Sequence, residues 1–327
     1  METQRKFIWK KHGKIFSPDV RYEWMYSHAQ NPSVLILEDR LRVYFTCRPK
    51  KDVNGNVTAV TTFVDLNRED PGEVLYVHDR PILSFGDVGT FDQFGFMPGA
   101  VVKVKDEVWL YYVGWMRSQG APYNHAIGLA VSKDDGLTFN RMGKGPLFGR
   151  ILKEPFLQNS PYVFQENGLF HMWYSSGIDW LEYEQRMESI YVLMHATSKD
   201  GINWERESVP SVAYKVEYEC QTNPSVIKIG NKYHMWFCYR HGINFRNDER
   251  GYRIGYAWSD DLMNWHRDDD LGELQVSDEG WDSQMVCYPC VVHLNNKYYM
   301  FYSGNYFGRD GFGYAVGSWE DQDNEMA

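Results

Sequence analysis

The chain has 327 residues, of which 43% are hydrophobic and 16% aromatic, and its formal net charge is −10 with a pI near 5.5. Phosphate binding requires a basic face, so this composition excludes nucleic acid as an expected partner. The first residues, Met1–Lys6, lack the apolar core of a signal peptide, and no apolar run approaches the length of a membrane span. We therefore expect a cytoplasmic protein with no membrane partner, and the five cysteines fit a reducing compartment.

One pattern occurs five times along the chain: a proline, an apolar run, a two-residue polar turn and an aromatic-rich run. The prolines stand 66, 63, 63 and 65 residues apart, at Pro32, Pro98, Pro161, Pro224 and Pro289. A small-residue strand and a second polar turn follow, which gives four strands per unit. Four-stranded units at a fixed period are typical of propeller blades. The sequence predicts an all-β fold, a five-bladed β-propeller with antiparallel blades, in a single domain over residues 1–327.

The two ends of the chain are predicted to meet in one blade. The fifth unit ends at Gly313–Gly317 and Trp319 without a fourth strand. The first residues supply one, because Phe7–Lys14 is similar to Phe139–Lys144, the fourth strand of the second unit. We therefore expect the amino-terminal strand to complete the fifth blade, which closes the ring and leaves no edge unpaired.

Strand order assigns each turn to one end of the propeller. The turns that join third to fourth strands share one end, which we call the far rim. Three of them carry similar Asp-turn motifs: Ser132–Phe139, Ser198–Trp204 and Ser259–Trp265. The first matches the Asp-box pattern of sialidases. Because Asp and Ser stabilise turns through hydrogen bonds to the backbone, we interpret these motifs as structural turns and not as catalytic carboxylates.

The opposite end, which we call the mouth, collects more varied side chains. The residues before the five prolines are expected to ring the axis there: Asn31, Met97, Ser160, Asn223 and Tyr288. Linkers that enter the blades add carboxylates, and the ends of second strands add arginines and an indole. Aromatic faces with amides, arginines and carboxylates suit a carbohydrate partner. The candidate substrate-binding residues are Asn31, Arg48, Trp115, Arg117, Glu154, Asn223, Arg240, His241 and Asn305.

The five repeats, the Ser-x-Asp-Gly-x-x-Trp turn and the proline-led inner strands together resemble the five-bladed glycosidases of glycoside hydrolase families 43 and 32, and more distantly the mannoside phosphorylases of family 130. Families 43 and 32 place an Asp before the proline of the first blade and of a middle blade. Here those positions read Asn31-Pro32 and Ser160-Pro161. Tyr218-Glu219-Cys220 resembles the Glu-Cys acid/base motif of family 32, although the proline that follows directly in that family comes later here.

The resemblance implies a glycoside hydrolase that uses a pair of carboxylates. We expect Glu219 to be the general acid, with Asp92 or Asp282 as base or nucleophile. Phe91-Asp92 and Trp281-Asp282 both lie six or seven residues before an inner proline, so both approach the axis from the same face.

Two alternatives to hydrolysis stay open at this point. Arg48, Arg117 and Arg240 with His241 can hold an anion, such as an anionic sugar or the free phosphate of a phosphorylase, because the planar guanidinium suits such groups. The Glu-Asp-Pro-Arg segment of family 130 is absent. The second alternative is a carbohydrate-binding propeller without catalysis. We expect no cofactor and no metal, since zinc, nucleotide and flavin motifs are missing.

Overall fold

The computed structural model of the protein describes residues 5–247 and 249–320, so part of the segment on which the signal-peptide expectation rests, residues 1–4, lies outside it. Five sheets of four antiparallel strands form the fold, which confirms the five-bladed β-propeller. Among the described residues no helix is long and apolar enough to cross a bilayer.

Each blade runs from an inner strand at the axis to an outer strand at the surface. Strand β1 (Phe7–Phe16) precedes the first blade. The strands of blades one to three are β2 (Ser27–Ile36), β3 (Arg40–Arg48), β4 (Val60–Asn67), β5 (Val74–Val77), β6 (Phe96–Val104), β7 (Glu107–Met116), β8 (Asn124–Ser132), β9 (Asn140–Arg141), β10 (Gln158–Glu166), β11 (Leu169–Tyr183), β12 (Arg186–Ser198) and β13 (Trp204–Pro210). Blades four and five contain β14 (Cys220–Ile229), β15 (Lys232–Arg240), β16 (Arg253–Ser259), β17 (His266–Arg267), β18 (Cys287–Leu294), β19 (Lys297–Ser303) and β20 (Phe312–Trp319).

Short helical segments occur only outside the blades in the described part of the chain. Two are 3-10 turns, Glu23–Met25 and Asp269–Leu271. The third, α1 (Asn305–Gly308), contains two residues with positive φ, Tyr306 and Phe307, so it is a tight turn at the mouth and not a regular helix.

Strand β1 closes the ring as the sequence predicts. It pairs antiparallel with β20, from Phe7 opposite Trp319 to Phe16 opposite Phe312, and the sheet order is β1-β20-β19-β18. Trp9 packs edge-on against Trp236 of blade four at 5.2 Å, and its indole N–H donates to the carbonyl of Gly272. The first strand of the chain is therefore the outer strand of the last blade.

The apolar core lies between neighbouring blades. Trp173 of blade three, fully buried, meets Trp265 of blade four at 5.6 Å in an edge-to-face arrangement. Aromatic pairs of this geometry add to the free energy of burial, which explains the high aromatic content.

The Asp turns hold the far rim through local hydrogen bonds. The Asp200 carboxylate accepts from the backbone N–H groups of Ile202 and Asn203 at 2.9 and 2.8 Å, and these bonds hold its pKa well below the ordinary value. Asp261 makes the same bonds in blade four. Both carboxylates accept hydrogen bonds from the backbone of their own turns, which agrees with the interpretation of the Asp-turn motifs as structural turns.

Candidate functional site

The inner strands are irregular at the prolines. In every blade the register with the second strand shifts there, as between Gln30 and Ser33 in blade one. Four of the five residues before the prolines adopt positive φ: Asn31 at 54°, Ser160 at 48°, Asn223 at 46° and Tyr288 at 59°. Such a conformation is unfavourable for residues with a side chain, and a bulge redirects the side chain that it carries. Strained bulges repeated around one axis indicate a functional site.

These bulges form the floor of a cavity of about 290 Å³ at the mouth of the propeller. The five residues before the prolines all line it, as the sequence predicts. A narrower channel of about 90 Å³ continues along the axis on the other side of Ser160 and Asn223. Larger clefts of about 680 and 1010 Å³ lie among turn residues of the far rim, away from the strained strands.

The cavity contains buried polar atoms that the described protein groups leave without a hydrogen-bond partner. They are Asn31 Oδ1, Asn159 Oδ1, Arg240 Nε and both ring nitrogens of His125. Burying an unpaired polar atom costs free energy, and native structures rarely retain such atoms unless water or a ligand binds them. These atoms therefore leave hydrogen-bonding capacity in the cavity for water or a polar ligand.

Two arginines of the cavity have no carboxylate partner within the described residues. Arg240 is 3% exposed, and its Nη1 and Nη2 atoms donate to the His241 carbonyl at 2.8 Å and to the Tyr191 hydroxyl at 3.0 Å. Arg48 donates through Nε to the side-chain oxygen of Gln30 at 3.0 Å, and burial lowers its pKa. One buried guanidinium group, of Arg240, and one half-buried group, of Arg48, with neutral partners make the cavity attractive to an anion.

One carboxylate lines the cavity in the part of the chain that the structure describes, and it is Glu188. It lies on β12, which extends with β11 beyond the rest of blade three, and it pairs there with Leu181. Its side chain is 5% exposed, and both carboxylate oxygens accept from Arg246, at 2.5 and 3.2 Å.

Aromatic side chains form the remaining wall. Tyr123 stacks on His125 at 4.8 Å and meets Trp180 at 5.4 Å. Trp115 packs edge-on against His125 at 5.7 Å and against Tyr123 at 6.4 Å. Rings of this kind suit the apolar faces of a sugar, and amides like those of the floor suit its hydroxyl groups.

The three carboxylates predicted to be catalytic lie outside this cavity. Asp92 is 1% exposed and contacts Arg141 at 2.6 Å, Asp282 contacts Lys11 at 2.7 Å, and Glu219 contacts Arg267 at 2.6 Å. In each case the cation comes from the outer strand of the same blade: β9, β1 or β17.

These carboxylates belong to a repeated arrangement. A tyrosine hydroxyl 20 residues further along the chain donates to Asp92 and to Asp282, at 3.1 and 2.9 Å. Glu154, predicted to bind substrate, accepts from Tyr174 at the same separation and from Arg206 of β13. In blade four Tyr239 stands at the same separation from Glu219, but this carboxylate accepts from Gln221 and from two backbone N–H groups. The arrangement fixes each linker to its blade, and we propose a structural role for it.

Five of the nine predicted binding residues line the cavity: Asn31, Arg48, Trp115, Asn223 and Arg240. The other four do not. Arg117 donates to the carbonyl of Val57 at 2.8 Å, and Asn305 accepts from two backbone N–H groups of the blade-five linker. His241 lines a separate cleft, and Glu154 lies in the ion pair described above.

Sequence reasoning missed Glu188 and the aromatic residues Tyr191, Tyr252, Phe245 and Phe307. Tyr191 and Tyr252 stand 61 residues apart near the beginnings of equivalent third strands, and their hydroxyl groups are hydrogen-bonded to each other. That separation is close to the repeat step, so extending the repeat to the third strands is the signal that would have found this pair.

Two proteins of Mycobacterium tuberculosis, uncharacterized proteins MT1551 and Rv1502, are each 34% identical to this chain over 313 residues, which covers 94% of the chain and 98% of each relative. The chain belongs to their family. No model of a protein family matches the sequence.

Two further relatives, from Thermoanaerobacter sp. (strain X514), match over half of the chain. The β-1,2-mannobiose phosphorylase is 27% identical over 173 residues, or 50% of this chain and 53% of the relative. The 1,2-β-oligomannan phosphorylase is 35% identical over 164 residues, or 50% of this chain and 47% of the relative.

Solved structures share the fold over nearly the whole chain. A glycoside hydrolase has a TM-score of 0.71 at 18% identity and covers 94% of this chain and 91% of its own. A structure from the GH130 family of mannoside phosphorylases has a TM-score of 0.69 at 14% identity, and the match covers 97% of this chain and 95% of that structure's chain. A thermostable family-43 glycoside hydrolase has a TM-score of 0.58 at 15% identity, and the match covers 95% of this chain and 92% of the hydrolase chain. The resemblance to these propeller families is therefore confirmed at the level of fold.

Proposed function

We propose that the protein is a carbohydrate-active enzyme that transfers a glycosyl group to phosphate, as a glycoside phosphorylase, in the axial cavity. The observation that supports this proposal is a pair of cavity arginines, Arg240, which is buried, and Arg48, which is half-buried; among the described residues both donate hydrogen bonds to neutral groups. A cation in that state gains free energy when an anion binds, and a guanidinium binds phosphate through two parallel hydrogen bonds.

The number of carboxylates favours phosphorolysis over hydrolysis. Hydrolases of this chemistry use two, one as acid and one as base or nucleophile. Glu188 is the single carboxylate of the cavity within residues 5–247 and 249–320. Phosphate supplies its own nucleophilic oxygen, so one protein acid is sufficient.

The proposed phosphorolysis gives a role to each of these cavity side chains. A phosphate oxygen bonds to the anomeric carbon, the glycosidic C–O bond breaks, and protonated Glu188 gives its proton to the leaving sugar oxygen. Arg240 and Arg48 hold the phosphate, while the amides of Asn31 and Asn223 orient the sugar. The products are a sugar 1-phosphate and a shortened sugar. The two Thermoanaerobacter relatives, named as mannoside phosphorylases, support this class of reaction.

The test is turnover of a panel of β-mannosides, including β-1,2-mannobiose, with and without phosphate. We expect release of sugar 1-phosphate only when phosphate is present. Cleavage at the same rate without phosphate would establish hydrolysis and overturn the proposal.

Arg240→Met tests the anion site directly, with Arg117→Met as the matched control. Sequence reasoning placed both arginines at the mouth, but only Arg240 lines the cavity. Loss of a charge-assisted hydrogen bond should weaken phosphate binding about tenfold or more in Arg240→Met, measured by calorimetry. Arg48→Met should act in the same direction. Equal binding by all variants would contradict the assignment.

A further inference from the structure

Glu188 and Arg246 form an ion pair between two blades. Glu188 lies on β12 of blade three, and Arg246 lies in the loop between β15 and β16 of blade four. The carboxylate is buried, whereas the Arg246 side chain is 49% exposed. The arginine is therefore the partner that is free to move.

This pair occupies both oxygens of the Glu188 carboxylate, which an acid would need to have free. A cation in contact with a carboxylate favours its ionised form. An acid that protonates a leaving oxygen must carry a proton before the step. In the structure both oxygens of Glu188 accept hydrogen bonds from Arg246, so neither oxygen is available to donate to a leaving group.

Arg246 also lies beside the proposed anion site. Its guanidinium stands 4.3 Å from the centre of the Phe245 ring, and that of Arg240 stands 3.5 Å from the same ring. Both arginines line the same cavity, so an anion bound there can interact with Arg246 as well as with Arg240 once the Arg246 side chain changes its rotamer.

We infer that an anion entering the cavity draws Arg246 away from Glu188, and that Glu188 then takes up a proton from solvent and becomes the acid. This inference rests on the proposed function. The hydrogen bonds of Arg246 move from the carboxylate to the anion, and one proton from water or buffer binds a carboxylate oxygen. A buried carboxylate without its cation is costly, so neutralisation is the favourable outcome.

Two titratable groups that interact with Glu188 do not take the proton instead. Tyr123 and the Cys220 thiol interact electrostatically with Glu188, and burial raises the pKa of both above their ordinary values. Both are therefore already protonated at neutral pH. His125 also lines the cavity, and burial lowers its pKa to about 3, so it is neutral at neutral pH; loss of the proton uptake in Glu188→Gln distinguishes Glu188 from His125 as the acceptor.

The test is calorimetric titration of the full-length protein with sulfate, at one pH, in two buffers of different ionisation enthalpy. Sulfate is the probe because it does not itself titrate near neutral pH, whereas phosphate does. We expect about one proton taken up per sulfate bound, since binding and protonation are linked.

Three variants identify the group that takes up the proton. Glu188→Gln should bind sulfate with no proton uptake. Arg246→Gln should bind sulfate more weakly and should also take up no proton. In this variant Glu188 lacks its arginine partner both before and after sulfate binds, so sulfate binding does not change its surroundings in this respect. Arg80→Gln, which removes an exposed arginine outside the cavity, should behave as the unchanged protein.

The outcomes separate the two proposals. Sulfate binding without proton uptake, or uptake that persists in Glu188→Gln, would overturn the Arg246 exchange and leave phosphorolysis standing. Failure of both sulfate and phosphate to bind would overturn the phosphorylase proposal itself, and the exchange with it.

Discussion

Buried carboxylates beside cations fall into two groups at the scale of single residues. Asp92 and Glu219 are paired with arginines that are themselves 19% and 6% exposed. Glu188 is paired with Arg246, which is 49% exposed. Removing one member of a buried pair leaves an uncompensated charge, so we assign the first group a structural role, whereas the arginine partner of Glu188 is exposed and can change its rotamer.

Glu219→Gln tests the structural role. We expect the free energy of unfolding to fall by about 2 kcal/mol in urea denaturation, which is less than for most broken buried pairs, because Arg267 keeps its contact with Asp269. Sulfate binding by the folded variant should be unchanged. Glu217→Gln, at an exposed position two residues away, is the control. A variant of normal stability that loses turnover would return Glu219 to the catalytic role expected from the sequence.

At the scale of elements, closure of the ring depends on β1. This strand covers one edge of β20 and brings Phe7 and Trp9, 1% and 9% exposed, into the core shared with blade four. It also supplies Lys11 to Asp282, the role that Arg141 and Arg267 fill in their own blades. Strand β1 is far from blade five in the sequence, but it occupies the same position in that blade as β9 and β17 occupy in theirs.

Deleting residues 1–16, which include β1, should therefore leave the fifth blade open. We expect an unfolded or aggregated product, because the exposed edge of β20 and the uncovered core face of Trp236 are both left without partners. Circular dichroism and gel filtration measure this. A truncated protein that melts at the same temperature as the full chain would contradict it.

A milder substitution checks the same strand. Trp9→Ala removes a large buried side chain and its hydrogen bond to Gly272, so unfolding should become easier by about 3 kcal/mol. Lys10→Ala, at the next and exposed position, should change stability little. Equal effects of the two would mean that β1 is not packed as described.

At the scale of the whole molecule, buried histidines make stability depend on pH. Burial lowers the pKa of His171 and of His234 to about 4, from an ordinary value of 6.5. Both are neutral in the folded protein at neutral pH. Below pH 6.5 the unfolded chain binds protons that the folded protein does not, so stability is complete above about pH 6.5 and is lost as pH falls toward 4.

Urea denaturation between pH 7.5 and 4.5 measures this dependence. Each such histidine contributes at most about 1.4 kcal/mol per pH unit. His234→Gln should reduce the slope, whereas His293→Gln, at an exposed position, is the control and should not. A slope that is the same for both variants would exclude His234 as a source of the acid sensitivity.

The sequence by itself determined the repeated unit, the five blades, the strand that closes the ring and the two ends of the propeller. These features follow from local chemistry: strand periodicity, turn residues and a constant step between prolines. The same reasoning identified Asn31, Asn223 and Arg240 as cavity residues, since each stands at a fixed place in the repeat.

Only the tertiary structure decided which charged side chains face the axis. The linker carboxylates Asp92 and Asp282 lie a few residues before the inner strands, but outer strands carry cations that hold them away from the mouth. Glu188 reaches the cavity because β11 and β12 are longer than the other strands, and its partner comes from another blade. Contacts of this kind join residues far apart in the chain, and the repeat pattern does not predict them.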